Sequence, residues 1–111
     1  MKQLIVLLFA LVLSHCVLAS DKFDSMLTVA KNPDVTGDAK VKAYLWLAGH
    51  SYKKSPPTAI AYLDTASSIV NSQGARKYEA KLQLRYATYY KYNGEFRKAL
   101  ARINKLETMF A

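Results

Sequence analysis

Residues 86–106 read YATYYKYNGEFRKALARINKL, and this stretch decides the fold. Apolar side chains recur every three or four residues on both sides of Asn93-Gly94, a spacing typical of two amphipathic helices. The Asn-Gly pair separates them, because glycine adopts the left-handed backbone conformation without strain. Tyr86 and Tyr90 are four residues apart and share one helical face, so we expect both to pack between helices. The stretch therefore predicts a helical hairpin.

A similar pattern occurs earlier in the chain, where residues 47–66 read LAGHSYKKSPPTAIAYLDTA. Both segments have a small residue, a tyrosine three positions later, a helix breaker, and then an alanine with an apolar residue four positions beyond it. The packing positions are Gly49, Tyr52, Ala59 and Leu63 in the earlier segment, and Ala87, Tyr90, Gly94, Phe96, Ala99 and Ile103 in the later one. The repetition predicts a second hairpin of the same kind.

On these residues the chain resembles the tetratricopeptide repeat family, over about residues 38–110. The later segment matches the family spacing, whereas the earlier one has a turn two residues shorter, with Pro56-Pro57 in place of the usual Gly-x-aromatic. The resemblance implies stacked antiparallel helical hairpins. The order of a leader, a short helix and a repeat also resembles the extracytoplasmic N-terminal region of certain bacterial sensor kinases and regulators. The sequence has no histidine-kinase motif, so kinase activity is not implied.

The rest of the sequence completes the prediction of an all-α fold with about five helices. We predict a leading helix over residues 20–31, one hairpin over 38–71 and a second over 76–110, within a single domain of residues 20–111. Loops are predicted at NPDVTG, KSPP and SQGA, because proline and glycine interrupt helices. Outside the leader, no segment alternates between apolar and polar residues as a strand does.

Residues 1–19 have the pattern of a secretory signal peptide. Lys2 precedes an apolar segment, and Val17 and Ala19 provide small residues before a cleavage site. The apolar segment of about sixteen residues is short for a membrane span, which needs about 20. We expect cleavage after Ala19 and a periplasmic or extracytoplasmic protein; the alternatives are an uncleaved anchor and a lipoprotein modified at Cys16. The cleaved chain contains no cysteine, so it forms no disulfide.

The chain has a net charge of +8, and its positive charge is concentrated in the second half. Residues 20–74 contain six lysines and arginines against five acidic residues, whereas residues 75–111 contain nine against three. A solvated basic helix face explains this distribution, and so does a contact surface for an acidic partner or an anionic lipid. Nucleic acid is disfavoured, because an exported protein seldom meets it.

The resemblance to tetratricopeptide repeats also implies a binding groove, lined by the first helix of each hairpin. The matching residues are Trp46, His50, Lys53, Lys81, Arg85, Thr88 and Tyr92. Lysine and arginine pair with carboxylates, and tryptophan offers a stacking surface, so the expected ligand is an acidic peptide or a terminal carboxylate. The asparagines that family members use to clamp a carboxylate are missing from the matching positions. The alternative is a solvated helix face with Trp46 simply buried.

Catalytic patterns are missing from the sequence. His50 is the one histidine after the leader, and the carboxylates are scattered singly, so the sequence predicts no metal site and no cofactor. Gly49 and Gly94 are isolated, which excludes a phosphate-binding loop. We therefore expect a non-catalytic, exported protein-interaction module, with a basic membrane-surface module as the alternative. The last amphipathic helix presents Met109 and Phe110, which suggests a truncated chain, self-association or completion by a partner.

Overall fold

The computed structural model describes residues 21–110, which form five α-helices joined by short loops. Helix α1 occupies residues 21–31. The other elements are α2, Gly37–Ser51; α3, Pro56–Gln73; a 3₁₀ turn, Arg76–Tyr78; α4, Glu79–Tyr92; and α5, Phe96–Phe110. No residue in the range 21–110 belongs to a β-strand, so the predicted all-α fold is confirmed. The predicted signal peptide and its cleavage site lie outside the described residues.

Capping residues in the sequence fix the ends of α2 and α3. Thr36 Oγ1 accepts a hydrogen bond of 3.4 Å from the third backbone N–H of α2. Pro56 and Pro57 occupy the first turn of α3, where backbone N–H groups have no hydrogen-bond acceptor within the helix, so proline's lack of an N–H costs no hydrogen bond. Helix α3 ends at Gln73 and is followed by its cap residue Gly74, whose φ of 70° is left-handed. It therefore extends two residues beyond the end that the sequence pattern predicted.

The turn between α4 and α5 is a Schellman motif built on Gly94. The backbone N–H of Glu95 donates to the carbonyl of Tyr90 at 2.8 Å, and the N–H of Gly94 donates to the carbonyl of Lys91 at 3.1 Å. Gly94 has a φ of 77°, a conformation that a residue with a β-carbon adopts only with strain. The Asn-Gly pair thus turns the chain as its sequence predicts.

The main hydrophobic core lies where α2, α3 and α4 meet. Leu63 of α3 is 1% exposed and belongs to the same buried cluster as Leu45 of α2 and Leu82 of α4. The other buried members of this cluster are Val41, Ala48, Ala66, Val70, Ala75 and Tyr86. Burial of each large aliphatic side chain contributes about 1.5–3 kcal/mol to stability. This cluster joins the first hairpin, α2 with α3, to α4.

Helix α1 covers a second face of α2. Ala30 of α1 is buried together with Ala43 and Leu47 of α2. Phe23 and Trp46 pack at the edge of this cluster, with their ring centres 6.2 Å apart. Small alanines on both helices allow their backbones to approach closely. Helix α2 is therefore enclosed by α1 on one face and by α3 and α4 on another.

A series of polar contacts connects α3, α4 and α5. The buried Tyr86 hydroxyl donates a hydrogen bond of 2.6 Å to the Asp64 carboxylate. The Arg102 guanidinium lies 4.1 Å from the centre of the Tyr86 ring and donates to Gln83 Oε1 at 3.1 Å. Gln83 in turn donates to Glu79 at 3.0 Å. Burial, and then the hydrogen bond to Asp64, raises the pKa of the Tyr86 hydroxyl above its usual range.

The outer face of α5 differs from the sequence prediction. Ala99 is the one buried side chain of α5 among residues 96–110, whereas Phe96 is 67% exposed. The repeat pattern predicts that Phe96 occupies a packing position. It stands at the first residue of α5 and borders the open groove between α4 and α5, whereas Ala99, three residues further along, is buried. Phe96 is therefore not a packing residue within the described chain.

Candidate functional site

An open cleft lies between α1, α2 and α4. It measures about 360 Å³, and we call it the basic cleft. Its lining residues are Met26, Val29, Ala39, Lys42, Ala43, Leu45, Trp46, Lys81 and Arg85. Ala43 and Leu45 are buried and form its floor, whereas the three basic residues are exposed and form its rim. This combination suits a ligand with both apolar and anionic groups.

Trp46 forms one wall of the basic cleft, and its indole ring contacts His50 and Lys22. Its ring stacks on His50, with centres 3.8 Å apart and planes inclined by 18°. His50 Nδ1 is also 2.9 Å from the Trp46 carbonyl oxygen, one helical turn away. The Lys22 ammonium lies over the indole at 5.6 Å from its centre. The indole is half-buried rather than fully buried, so part of it faces the cleft.

The cations on the rim are available to a ligand. Lys42, Lys81 and Arg85 are all exposed, and within residues 21–110 none of them forms a salt bridge. An anionic group bound there therefore does not have to displace an existing carboxylate. Arginine offers two parallel N–H donors to a carboxylate, so Arg85 is the residue best suited to fix its orientation.

The other predicted site residues lie further along the same side of α2 and α4. The ring of Tyr92 meets Tyr52 edge to face at 5.2 Å, and the Lys53 ammonium lies 5.7 Å from the Tyr52 ring centre. Thr88 and Arg85 border a gap of about 20 Å³ in this seam, which is too small for a peptide side chain. The structure therefore brings Trp46, Lys81 and Arg85 together with His50. Lys53 and Tyr92 instead meet at Tyr52, and Thr88 borders the gap between the two groups, which Arg85 also lines.

Most of the predicted packing positions are inside the fold. Ala59, Leu63, Ala87 and Ala99 are buried. Tyr52, Tyr90 and Gly49 are half-buried, and Gly94 makes the turn described above. A β-carbon added to Gly49 would lie 3.7 Å from the Arg85 guanidinium, an ordinary contact distance. The α2–α4 seam therefore does not require glycine at position 49.

Sequence reasoning missed the part of the cleft that α1 contributes. Met26 and Val29 form a wall of the cleft, although the repeat pattern begins only after α1. Lys42 was missed as well, and a signal for it existed, since it lies four residues before Trp46 on the same face of α2. The contribution of α1 depends on tertiary packing, which the spacing of residues along the chain does not reveal.

In the range 21–110, no three histidine, cysteine, aspartate or glutamate side chains lie close enough together to hold a metal ion. No helix in that range is long and apolar enough to cross a membrane. Comparison with protein-family models, with curated proteins and with solved structures gives no match for this chain.

Proposed function

We propose that this chain is an exported, non-catalytic module that binds an acidic segment of a protein or peptide in the basic cleft. The observation that carries the proposal is the free cationic rim, Lys42, Lys81 and Arg85, above an apolar floor beside Trp46. Apolar side chains of the ligand supply burial on the floor, and its carboxylates pair with the rim. The complementary charges also exclude basic competitors.

The two helical hairpins support a tetratricopeptide-like arrangement. Helix α2 packs on α3, α4 packs on α5, and α4 also contacts both helices of the first hairpin. In this arrangement the first helix of each hairpin faces the ligand, and α2 and α4 are the helices that line the basic cleft. We extend the proposal to a role as the sensory front of a bacterial signalling protein, on the sequence resemblance alone.

Binding can be followed with the chain's own fluorescence, because Trp46 is its single tryptophan. The probe is a synthetic peptide of alternating aspartate and leucine, titrated into the full chain. We expect a change in Trp46 emission on binding, and a loss of affinity of about tenfold or more in Arg85→Glu. The matched control is Lys54→Glu, which makes the same charge change at an exposed lysine outside the cleft and should alter affinity less than twofold.

The concentration of basic residues in the second half supports a second candidate, an anionic membrane surface. Lipid binding depends on total charge more than on position. The competing experiment adds phosphatidylglycerol vesicles to the peptide titration. If the vesicles compete and the two charge reversals weaken binding equally, the peptide proposal is wrong and the membrane surface is favoured. If Arg85→Glu alone weakens binding and vesicles have no effect, the basic cleft is the site.

Export is tested separately from ligand binding. The leader pattern of residues 1–19 supports cleavage after Ala19. Amino-terminal sequencing of the protein recovered from the extracytoplasmic fraction should begin at Ser20. A protein that stays in the cytoplasm with Met1 in place contradicts the proposal of export.

A further inference from the structure

A second surface, which shares no residue with the basic cleft, lies along α4 and α5. Its apolar members are Leu84, Ala87, Phe96, Leu100 and Ile103, and we call it the α4/α5 face. Leu84 is 56% exposed, Phe96 67%, Leu100 57% and Ile103 42%, and they border one open groove of about 520 Å³. Single exposed apolar residues are common on proteins, but a continuous group of this kind marks an interaction surface.

The first hairpin shows what covers such a groove. Leu63 of α3 occupies the repeat position that Ile103 occupies in α5. Leu63 is 1% exposed and shares the main core with Leu45 of α2 and with Leu82 and Tyr86 of α4, whereas Ile103 is 42% exposed. A difference between the two equivalent positions is that a following helix, α4, packs on α3, whereas no helix within residues 21–110 follows α5. The α4/α5 face has the shape and composition of a surface that accepts one more helix.

We propose that this helix is α5 of a second copy of the chain, related to the first by a two-fold axis. Helix α5 of each copy then lies antiparallel to α5 of the other copy, in the groove between α4 and α5 of that other copy. A two-fold axis between Leu100 and Ile103 brings Leu100 of each copy opposite Ile103 of the other, so the same apolar face is buried on both. The arrangement is closed, which limits association to a dimer.

The charges on this surface favour a second copy in that orientation. Glu107 is the one acidic residue of α5, and within residues 21–110 it has no salt bridge. Lys91 and Arg97 also form none in that range. The Lys98 ammonium lies over the Tyr90 ring, so residue 98 of α5 is level with residue 90 of α4. Because the two helices are antiparallel, Arg97 is level with Lys91, near the turn. Glu107 lies ten residues further along α5, about 15 Å away at the other end.

The antiparallel pairing therefore aligns opposite charges at both ends. With the axis between Leu100 and Ile103, Glu107 of the second copy comes level with residue 96 of the first, beside Lys91 and Arg97. The two-fold axis repeats this pairing at the other end. A parallel pairing would instead place Glu107 beside Glu107 and Arg97 beside Arg97, which is repulsive. Apolar contact and charge thus favour the same orientation.

The experiment is sedimentation equilibrium of the full chain. The original chain and all variants have identical residues 1–20, so any difference between them arises from the substituted positions. We expect a reversible dimer that Leu100→Glu converts to a monomer, with unchanged helix content in circular dichroism because Leu100 is 57% exposed. The control is Ala61→Glu on the exposed side of α3, which should dimerise as the original chain does. A monomer at about 0.5 mM overturns the proposal. So does a dimer that tolerates Leu100→Glu, or one that Ala61→Glu disrupts equally.

Charge reversal tests the orientation. Glu107→Arg should weaken the dimer by about tenfold, since two symmetric attractions become repulsions. Adding Lys91→Glu and Arg97→Glu to that variant exchanges every charge in the pairing and should restore association. A triple variant that dimerises no better than Glu107→Arg overturns the antiparallel arrangement. A further outcome is that the original chain stays monomeric but binds an added acidic amphipathic peptide, and that Leu100→Glu abolishes this binding. The occupant of the α4/α5 face is then a different protein, and the proposal is wrong.

Discussion

Removal of one hydroxyl, in Tyr86→Phe, tests the polar contacts that join α3 to α4. The Tyr86 hydroxyl donates to Asp64 at 2.6 Å from a ring that is 2% exposed. Hydrogen bonds to charged groups contribute about 1.5–3 kcal/mol. Asp64 is itself exposed, so water replaces the lost donor at the carboxylate and reduces the cost. We expect the free energy of unfolding to fall by about 1–2 kcal/mol.

Urea unfolding followed by far-ultraviolet circular dichroism measures this loss. The transition midpoint should fall while its slope stays the same, because the substitution changes a contact and not the buried surface. For a domain of this size, a loss of about 1–2 kcal/mol lowers the melting temperature by roughly 5–15 °C. The control is Tyr92→Phe, in which a ring 52% exposed loses a hydroxyl that has no hydrogen bond among residues 21–110. We expect it to change stability by less than about 0.5 kcal/mol.

The pH dependence gives a second readout of the same hydroxyl. Burial raises the pKa of Tyr86 in the folded chain, whereas the unfolded chain releases this proton near pH 10. The contribution of Tyr86 to stability is therefore complete below about pH 10 and is lost as the pH rises above it. The difference in stability between the original chain and Tyr86→Phe should therefore be constant below about pH 10 and shrink as the pH rises above that value. Equal midpoints for the two tyrosine variants, or a difference independent of pH, would refute the reasoning.

Substitutions at four other positions test the fold by the same urea assay. Leu63→Ala leaves a cavity at the centre of the main core and should cost about 2–5 kcal/mol, and a cost below about 1 kcal/mol would mean that the α2–α3–α4 core is misassigned. Gly94→Ala places a β-carbon on a residue with left-handed backbone and should lower the free energy of unfolding by about 1 kcal/mol. Gly49→Ala lies in a helix with room for the methyl group and should raise the free energy of unfolding by up to about 1 kcal/mol. Thr36→Ala removes the cap of α2 and should cost about 0.5–1 kcal/mol, with Thr36→Ser as the variant that retains it.

The sequence was sufficient to predict the helices and their turns because local signals determine them. The apolar spacing, the prolines before α3 and the Asn93-Gly94 pair act within a few residues of the elements they define. The similarity of residues 47–66 and 86–106 likewise identified Leu63 and Ala99 as positions that are buried. The structure contradicts the same reasoning at Phe96, because the repeat pattern does not show whether another helix covers a given face.

The basic cleft was only partly predictable. Trp46, Lys81 and Arg85 could be placed together because they lie on corresponding helices of two similar hairpins. The wall made by Met26 and Val29 depends on the angle at which α1 crosses α2, which no short pattern encodes. The separation of Tyr92 from this group likewise follows from its contact with Tyr52 near the end of α2.

The single buried side chain of α5 has a consequence for local motion. Because Ala99 alone is buried there, α5 is held mainly by its contacts with α4, including those of Arg102 with Tyr86 and Gln83. Backbone amides of α5 are therefore expected to exchange with deuterium through local opening, sooner than those of α2 and α3, whose core residues open only with the whole fold. A second copy seated on α5 would slow exchange there and leave α2 unchanged. Amide protection would then report association residue by residue.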